Sequence, residues 1–305
     1  MYKMATYTVI IPVCNAGEAF GRSLEAFEFL TAKCDILIID SSPVQKQVEL
    51  PIQTNLRVHR INHADFNHGA TRNLGARLAQ SDILVFFTQD SVCADENTIA
   101  ELVRPLIGDP AIAVSYGRQI PKPSADPIEA FNRNFNYPSE SRLKTKADLP
   151  VLGIKTYFCS NSCAAYRRYI FDKLGGFQEG VGTNEDMLFA AKAINAGYGV
   201  YYAAQARVFH SHDYTAALLW KRYFQIGKFF AQNKWLLESA PAAGEARKVL
   251  IAGITHFLKR KMYFTCFRFV CEALIKGIAC RMGMLLAPKR AILEKNADFS
   301  MKKAI

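Results

Sequence analysis

The chain predicts an α/β fold, because three apolar strand-like runs alternate with helical stretches and each run stops at a proline or an acid. Tyr7-Thr8-Val9-Ile10-Ile11-Pro12 is the first, a buried-strand pattern ended by proline. Ile36-Leu37-Ile38-Ile39 is the second and ends in Asp40-Ser41-Ser42-Pro43. Ile83-Leu84-Val85-Phe86-Phe87 is the third and ends in Thr88-Gln89-Asp90. Residues 18–33 and 69–80 lie between them with the amphipathic spacing of helices. Such alternation implies a parallel sheet with helices on both faces, in which ligands gather at the carboxyl ends of the strands. Those ends carry one carboxylate each, Asp40 and Asp90. Acids capping continuous apolar strands suit a nucleotide with a divalent cation.

Farther along, the turn Gly175-Gly176-Phe177-Gln178-Glu179-Gly180 leads to Thr183-Asn184-Glu185-Asp186 and then to the apolar run Met187-Leu188-Phe189-Ala190-Ala191. Two adjacent carboxylates therefore stand at a helix start, where N–H groups and the helix dipole favour anions. Locally they read either as an N-cap or as functional acids. His210 and His212 follow Ala206–Phe209, a short strand, and share one face two residues apart. They read either as packing histidines or as metal ligands. Asn67, His68, Arg72 and Asn73 sit where a loop enters the second helix. Arg72 is suited to pair with Asp40, to grip a phosphate oxygen, or to form a structural salt bridge.

A chain of 305 residues holds one large domain or two small ones. Half its residues are hydrophobic, yet no uncharged apolar run reaches the ~18 residues of a membrane span. The first residues run straight into a strand, so no signal peptide is expected. Eight cysteines without a CxxC pair, Cys159 and Cys163 included, read as reduced thiols of a cytosolic protein. Residues 245–305 hold 13 Lys and Arg against 4 Asp and Glu, which is +9 of the total +11. There Lys259-Arg260-Lys261 is interleaved with Phe257, Leu258, Met262, Tyr263, Phe264 and Phe267. This amphipathic pattern fits a helix lying on an anionic membrane, or one packed on the domain with a solvated basic face. No nucleic-acid motif accompanies the charge, so nucleic acid is not an expected partner. Pro241 and Gly244 mark a boundary near 238–246, dividing residues 1–240 from 241–305. Residues 120–127 and 136–150 read as surface loops.

In order and spacing, Val9-Ile10-Ile11-Pro12, Ile38-Ile39-Asp40-Ser41-Ser42, Phe86-Phe87-Thr88-Gln89-Asp90, Gly175-Gly176-Phe177 and Asn184-Glu185-Asp186 resemble the family 2 inverting glycosyltransferases. Asp65–Asn73, His210–Tyr214 and Arg222–Phe229 are similar to segments of the bacterial rhamnosyltransferases within that family. The resemblance spans residues 5–232 and implies a GT-A fold: a mostly parallel central sheet flanked by helices, here with a basic helical C-terminal extension. It also implies roles. Asp40 reads the nucleobase, since a carboxylate accepts the ring N–H of uracil or thymine. Pro12, Asn15, Asn67, Arg72, Asn73, Gln89, Asp90 and Asn161 line the nucleotide sugar. Asp90 and His210 hold the metal. Thr88 stands where the family has the first acid of an Asp-x-Asp element, so Mg2+ or Mn2+ is held weakly and arrives with the diphosphate. His212, Trp220 and Arg222 face the pyrophosphate or acceptor. Asp186 is the base and Glu185 orients sugar or acceptor hydroxyls.

The resemblance further implies a dTDP-sugar or UDP-sugar donor, with dTDP-L-rhamnose foremost, and a lipid-diphosphate-linked glycan acceptor of the O-antigen kind. The enzyme would then work on the cytoplasmic face of the membrane. One base and a direct displacement give inversion at the anomeric carbon. The alternatives are a UDP-hexose or N-acetylhexosamine transferase of the same fold, and a non-catalytic nucleotide- or membrane-binding module.

Overall fold

The apolar runs become β1 (Tyr7–Val13), β2 (Asp35–Asp40), β3 (Leu56–Arg60) and β4 (Ile83–Phe87) of a computed structural model that describes residues 5–15, 20, 34–47, 55–212, 214–240 and 243–287. Their lack of polar alternation has a simple cause: both faces of the sheet are covered. Ile10, Leu37, Ile39, Leu84 and Phe86 point into one core cluster. Val9, Ile11, Ile36, Ile38, Val85 and Phe87 point into the other. The expected helix over 69–80 is α1 (His68–Leu78), and that over 18–33 lies outside the described residues apart from the buried Phe20.

The sheet continues with β5 (Val92–Cys93), β6 (Ile112–Ile120), β7 (Arg142–Lys144), β8 (Cys163–Arg167) and β9 (Gly199–Phe209). Among the described residues its order is β3-β2-β1-β4-β8-β6-β9-β5, with β7 on β9. Pairing is parallel from β3 to β4, but β8 runs antiparallel to both β4 and β6. The sheet is thus mixed rather than mostly parallel: the part carried by the three apolar runs is parallel, as is the β6–β9 pair, while β8, β5 and β7 run antiparallel to their neighbours. The short strand expected at Ala206–Phe209 is the end of the long β9.

Of the two segments expected to be loops, residues 121–126 are one, between β6 and the next helix, whereas 136–150 carries structure. Asp126 accepts from the N–H of Ile128 and caps α3 (Pro127–Asn136), with proline at the first helical position. Residues 142–144 form β7 instead of open loop. The remaining helices are α2 (Thr98–Gly108), α4 (Leu149–Leu152), α5 (Arg168–Lys173), α6 (Glu185–Asn195), α7 (Ala216–Gln232), α8 (Lys234–Ser239), α9 (Ala243–Lys259) and α10 (Tyr263–Leu286).

Residues 243–287 of the basic C-terminal region form a packed hairpin, and residues 288–305 lie outside the described residues. Phe257 of α9 and Phe269 of α10 bury against Ile128 and Phe131 of α3. A Cβ on Gly227 of α7 would lie 2.0 Å from the carbonyl of Cys280, and one on Gly283 would lie 2.0 Å from that of Phe224. Two opposed glycines let α7 and α10 touch backbone to backbone.

Candidate active site

The carboxyl ends of β1, β2 and β4 are tied together before any ligand is considered. Gln89 clamps the β1 end: its Oε1 accepts from the N–H of Cys14 at 2.8 Å and its Nε2 donates to Cys14 O at 3.1 Å. The Asn15 N–H donates to Ser42 Oγ at 2.8 Å, and the buried Asp40 accepts from the Ser42 N–H at 2.8 Å. Asn15 is left-handed here, with φ 51°, a conformation asparagine tolerates better than most residues. Pro12 is buried within β1 beside Ile39. His63, which the sequence did not single out, lies 3.1 Å from Ser41 O and 3.5 Å from Cys14 Sγ, at the same strand ends.

The first turn of α6 is held by α1. Asn67 caps α1 by accepting from the N–H groups of Gly69 and Ala70. A side chain at Gly69 would strike the carbonyl of Gln178 at 2.5 Å, so only glycine lets this end of α1 meet the Gly-Gly-Phe turn. Asn73 braces that turn, exchanging hydrogen bonds with the backbone of Phe177 and donating to Glu179. Asn73, expected at the nucleotide sugar, is thus a brace of this turn. Arg72 pairs with Glu185 at 3.1 Å rather than with Asp40, both side chains being buried.

Glu185 and Asp186 consequently live in different surroundings. Asn161 Nδ2 donates to Glu185 Oε1 at 3.1 Å, and Tyr166 donates to Asn161 Oδ1 at 2.7 Å. Burial alone would raise Glu185, but the charges of Arg72 and His68 bring it below its ordinary value. Glu185, expected to orient substrate hydroxyls, is a buried ion-pair partner of Arg72. Asp186 keeps part of its surface open. Its oxygens accept from the N–H groups of Asn161 at 3.0 Å and Met187 at 2.7 Å. Burial by packed protein, then the charge of Glu185, push it up to about 7. Environment thus separates two adjacent acids, lowering the pKa of one and raising that of the other.

At the far end of β4, Asp90 Oδ2 is 3.3 Å from His210 Nε2 and 3.6 Å from His212 Nδ1. Their ligand atoms all fall within 4.8 Å of one another, so His212 joins the expected Asp90–His210 pair instead of standing apart from it. Asp213 lies outside the described residues. Burial would raise Asp90, but His210, Thr88 and His212 bring it well below the carboxylate range. Thr88, standing where the family has an acid, therefore serves Asp90 as a hydrogen-bond partner. Burial and the neighbouring His210 push His212 down to about 4, which leaves a neutral imidazole at ordinary pH. One carboxylate and two imidazoles fit a divalent cation of the Mn2+ type.

This cluster is joined to Asp186. His210 Nδ1 lies 2.8 Å from Gln119 Oε1, Gln119 Nε2 donates to Ser160 Oγ at 2.8 Å, and the next residue is Asn161, which holds both acids. Gln119 escaped the sequence reading, although a polar side chain on the buried face of a strand was the available signal. On the other side, His212 meets the Tyr214 ring at 5.3 Å and Arg222 lies over that ring at 5.6 Å. Trp220 stands exposed on α7, outside this stack. A cavity of about 220 Å³ opens beside His212, lined by Asp126, Glu129, Tyr214, Arg268 and Lys276 among others.

Residues 8–175 match the pattern of the family described as Glycosyl transferase family 2. The chain is 40% identical over 279 residues to the O-antigen chain rhamnosyltransferase RfbN of Salmonella typhimurium, covering 90% of this chain and 88% of that protein. It is 38% identical over 283 residues to the O-antigen chain rhamnosyltransferase WbaN of Salmonella anatum, covering 92% and 90%. In fold it resembles the mannosyltransferase PcManGT of Pyrobaculum calidifontis in complex with GDP-Man and Mn2+, with a TM-score of 0.57, 17% identity and coverage of 91% and 88%. On the family match and on identity across nine-tenths of its length, the chain belongs to glycosyl transferase family 2 and is an inverting glycosyltransferase of GT-A fold.

Proposed function

We propose that the enzyme moves L-rhamnose from dTDP-L-rhamnose to a hydroxyl of a lipid-diphosphate-linked glycan in O-antigen-type polysaccharide assembly. One observation carries the reading. Asp186, a carboxylate with a raised pKa, is linked through Asn161, Ser160 and Gln119 to the Asp90–His210–His212 cluster, so proton acceptor and cation corner belong to one site. The rhamnosyltransferase relatives support the donor and the pathway.

In this reading Asp40 accepts the ring N–H of thymine, because an ionised carboxylate accepts and never donates. Asp90, His210 and His212 hold a Mn2+ or Mg2+ ion, which when bound neutralises charge on the departing diphosphate. The acceptor hydroxyl gives its proton to Asp186 while its oxygen bonds to the anomeric carbon. The bond from that carbon to the diphosphate breaks on the opposite face, and the nucleoside diphosphate leaves with the electron pair. Glu185, held ionised by Arg72, keeps the Asp186 carboxylate reluctant to lose its proton until neutral pH and so makes it the stronger base. Arg222 and Trp220 are the residues we assign to the pyrophosphate or acceptor, with His212, which lines the polar cavity, facing both the cation and these groups.

We read residues 1–240 as the catalytic unit and 241–305 as its docking element. Lys259, Arg260 and Lys261 lie exposed at the tip of the α9–α10 hairpin. Phe264, Phe267, Leu274, Ile278 and Leu285 are exposed along α10. Basic charge beside an exposed apolar stripe suits the anionic inner leaflet, and no helix among the described residues is long and apolar enough to cross a membrane.

The test offers the purified protein dTDP-L-rhamnose, UDP-glucose and UDP-N-acetylglucosamine, with Mn2+, Mg2+ or EDTA, and follows release of nucleoside diphosphate. Release from dTDP-L-rhamnose that falls with EDTA is expected. Preference for a UDP-sugar would transfer the reading to a hexosyltransferase. Nucleotide binding without turnover of any donor would leave a non-catalytic module.

A further inference from the structure

We infer that Gln119 is a positioning residue that fixes His210 as a metal ligand through its Nε2, with Arg133 and Glu129 holding the amide in the required sense. The inference rests on the cation-binding reading of Asp90, His210 and His212.

Gln119 is buried near the end of β6. Arg133 of α3 donates through Nη1 to Gln119 Oε1. A guanidinium has five donors and no acceptor, so the oxygen of the amide, and not its nitrogen, must face Arg133. The same oxygen lies 2.8 Å from His210 Nδ1, which must therefore carry a proton. In the neutral ring that leaves Nε2 with a bare lone pair, and Nε2 is 3.3 Å from Asp90 Oδ2. Two acceptors facing one another at that distance repel unless a proton or a cation lies between them. In the neutral ring the amide thus selects the tautomer whose Nε2 is free to ligate a cation beside Asp90.

The brace has an outer layer. Glu129 Oε1 is 2.6 Å from Arg133 Nε, and the same oxygen accepts from the His212 N–H at 3.4 Å. One carboxylate of α3 therefore steadies the guanidinium that sets His210 and the backbone that carries His212. Outer partners of this kind, donating or accepting at the second imidazole nitrogen, commonly govern ligand orientation and metal affinity.

The experiment measures Mn2+ binding in the presence of dTDP by electron paramagnetic resonance of the free ion, and dTDP binding in EDTA by calorimetry. Gln119→Leu should weaken Mn2+ binding by about 10–100-fold while leaving dTDP affinity in EDTA unchanged. Gln119→Glu, whose carboxylate still accepts from both Arg133 and His210, should retain Mn2+ binding. Wild-type Mn2+ affinity in the Leu variant, or an equal loss in the Glu variant, overturns the inference. Should Gln119→Leu fail to fold, Arg133→Met removes the group that orients the amide. A several-fold weaker Mn2+ affinity is then expected, and an unchanged one overturns the inference. If the wild-type protein binds no Mn2+, the cation reading itself is what fails.

Discussion

Replacing Asp186 by Asn separates the role of this carboxylate from its place in the structure. Both of its oxygens accept backbone N–H groups, from Asn161 at 3.0 Å and Met187 at 2.7 Å, so its orientation is fixed before an acceptor arrives. Asn keeps the shape but has one acceptor oxygen, so one of these N–H groups faces an amide donor. That loss amounts to about 1–3 kcal/mol of stability. Removing a general base lowers turnover by roughly 100-fold or more, equivalent to about 2.7 kcal/mol of barrier. The two effects are distinguished by assaying at a temperature where both proteins are fully folded. Turnover at saturating donor should fall by that factor, while calorimetry with dTDP gives an affinity close to wild type. The pH profile supplies a second signature. Burial and the charge of Glu185 hold Asp186 up to about 7, so the base is protonated below that pH and wild-type turnover rises as pH passes through it. The residual rate of the variant should not show this rise. Near-normal turnover, or a variant that retains the rise, would take Asp186 out of the role of base.

Arg72→Met leaves Glu185 buried without its cation and should destabilise the fold by about 3–5 kcal/mol in denaturant unfolding; the double variant with Glu185→Gln should recover part of this, and simple additivity would deny the pairing. Asp40→Ala should weaken dTDP binding by about 1–3 kcal/mol, the scale of a hydrogen bond to a charged group, and equal affinity by calorimetry would place the nucleobase elsewhere. Gly227→Ala puts a methyl group against the Cys280 carbonyl and should cost about 1–3 kcal/mol by overpacking, so an unchanged melting temperature would contradict the tight crossing of α7 and α10. The full chain should sediment with anionic vesicles at low salt, and the triple change of Lys259, Arg260 and Lys261 to Glu should abolish this, each charge contributing about 1 kcal/mol at the surface. Absence of pelleting by the wild-type protein would leave the hairpin as a packing element alone.

What the sequence disclosed was set by how locally each feature is encoded. β1, β2 and β4 were legible because strands covered on both faces must be apolar throughout. The helix start at Glu185 was legible because turn, acids and apolar run are contiguous. The antiparallel insertion of β8 was not, since Cys-Ala-Ala-Tyr-Arg carries neither alternation nor a long apolar run, and its place follows from distant partners. Side-chain partners were hidden for the same reason. The partner of Asn73 stands 104 residues away, and Gln119, which the sequence did not single out, meets His210 across 91 residues. Gly227 belongs to a segment singled out for its resemblance to rhamnosyltransferases, and its physical reason is a notch for the backbone of α10.

That notch changes what the C-terminal region can do. A basic tail on a flexible tether would bring the enzyme to a surface without fixing its attitude. Here α10 is locked onto α7, and Arg268 of α10 pairs with Asp126, the cap of α3, at 2.9 Å. Phe131 of α3 meets Phe257 of α9 and Phe269 of α10 at 5.5 Å each. Two residues farther along α3, Arg133 sets Gln119 and hence His210, while Glu129 holds the backbone of His212. The surface we read as membrane-facing and the cluster we read as cation-binding therefore share one helix as a strut. Packed elements of this kind move as a body, not as independent parts. On the membrane reading, the active-site opening would then meet the lipid-linked acceptor at a constant height and angle, and the charge at the hairpin tip would set presentation of the acceptor as well as its local concentration.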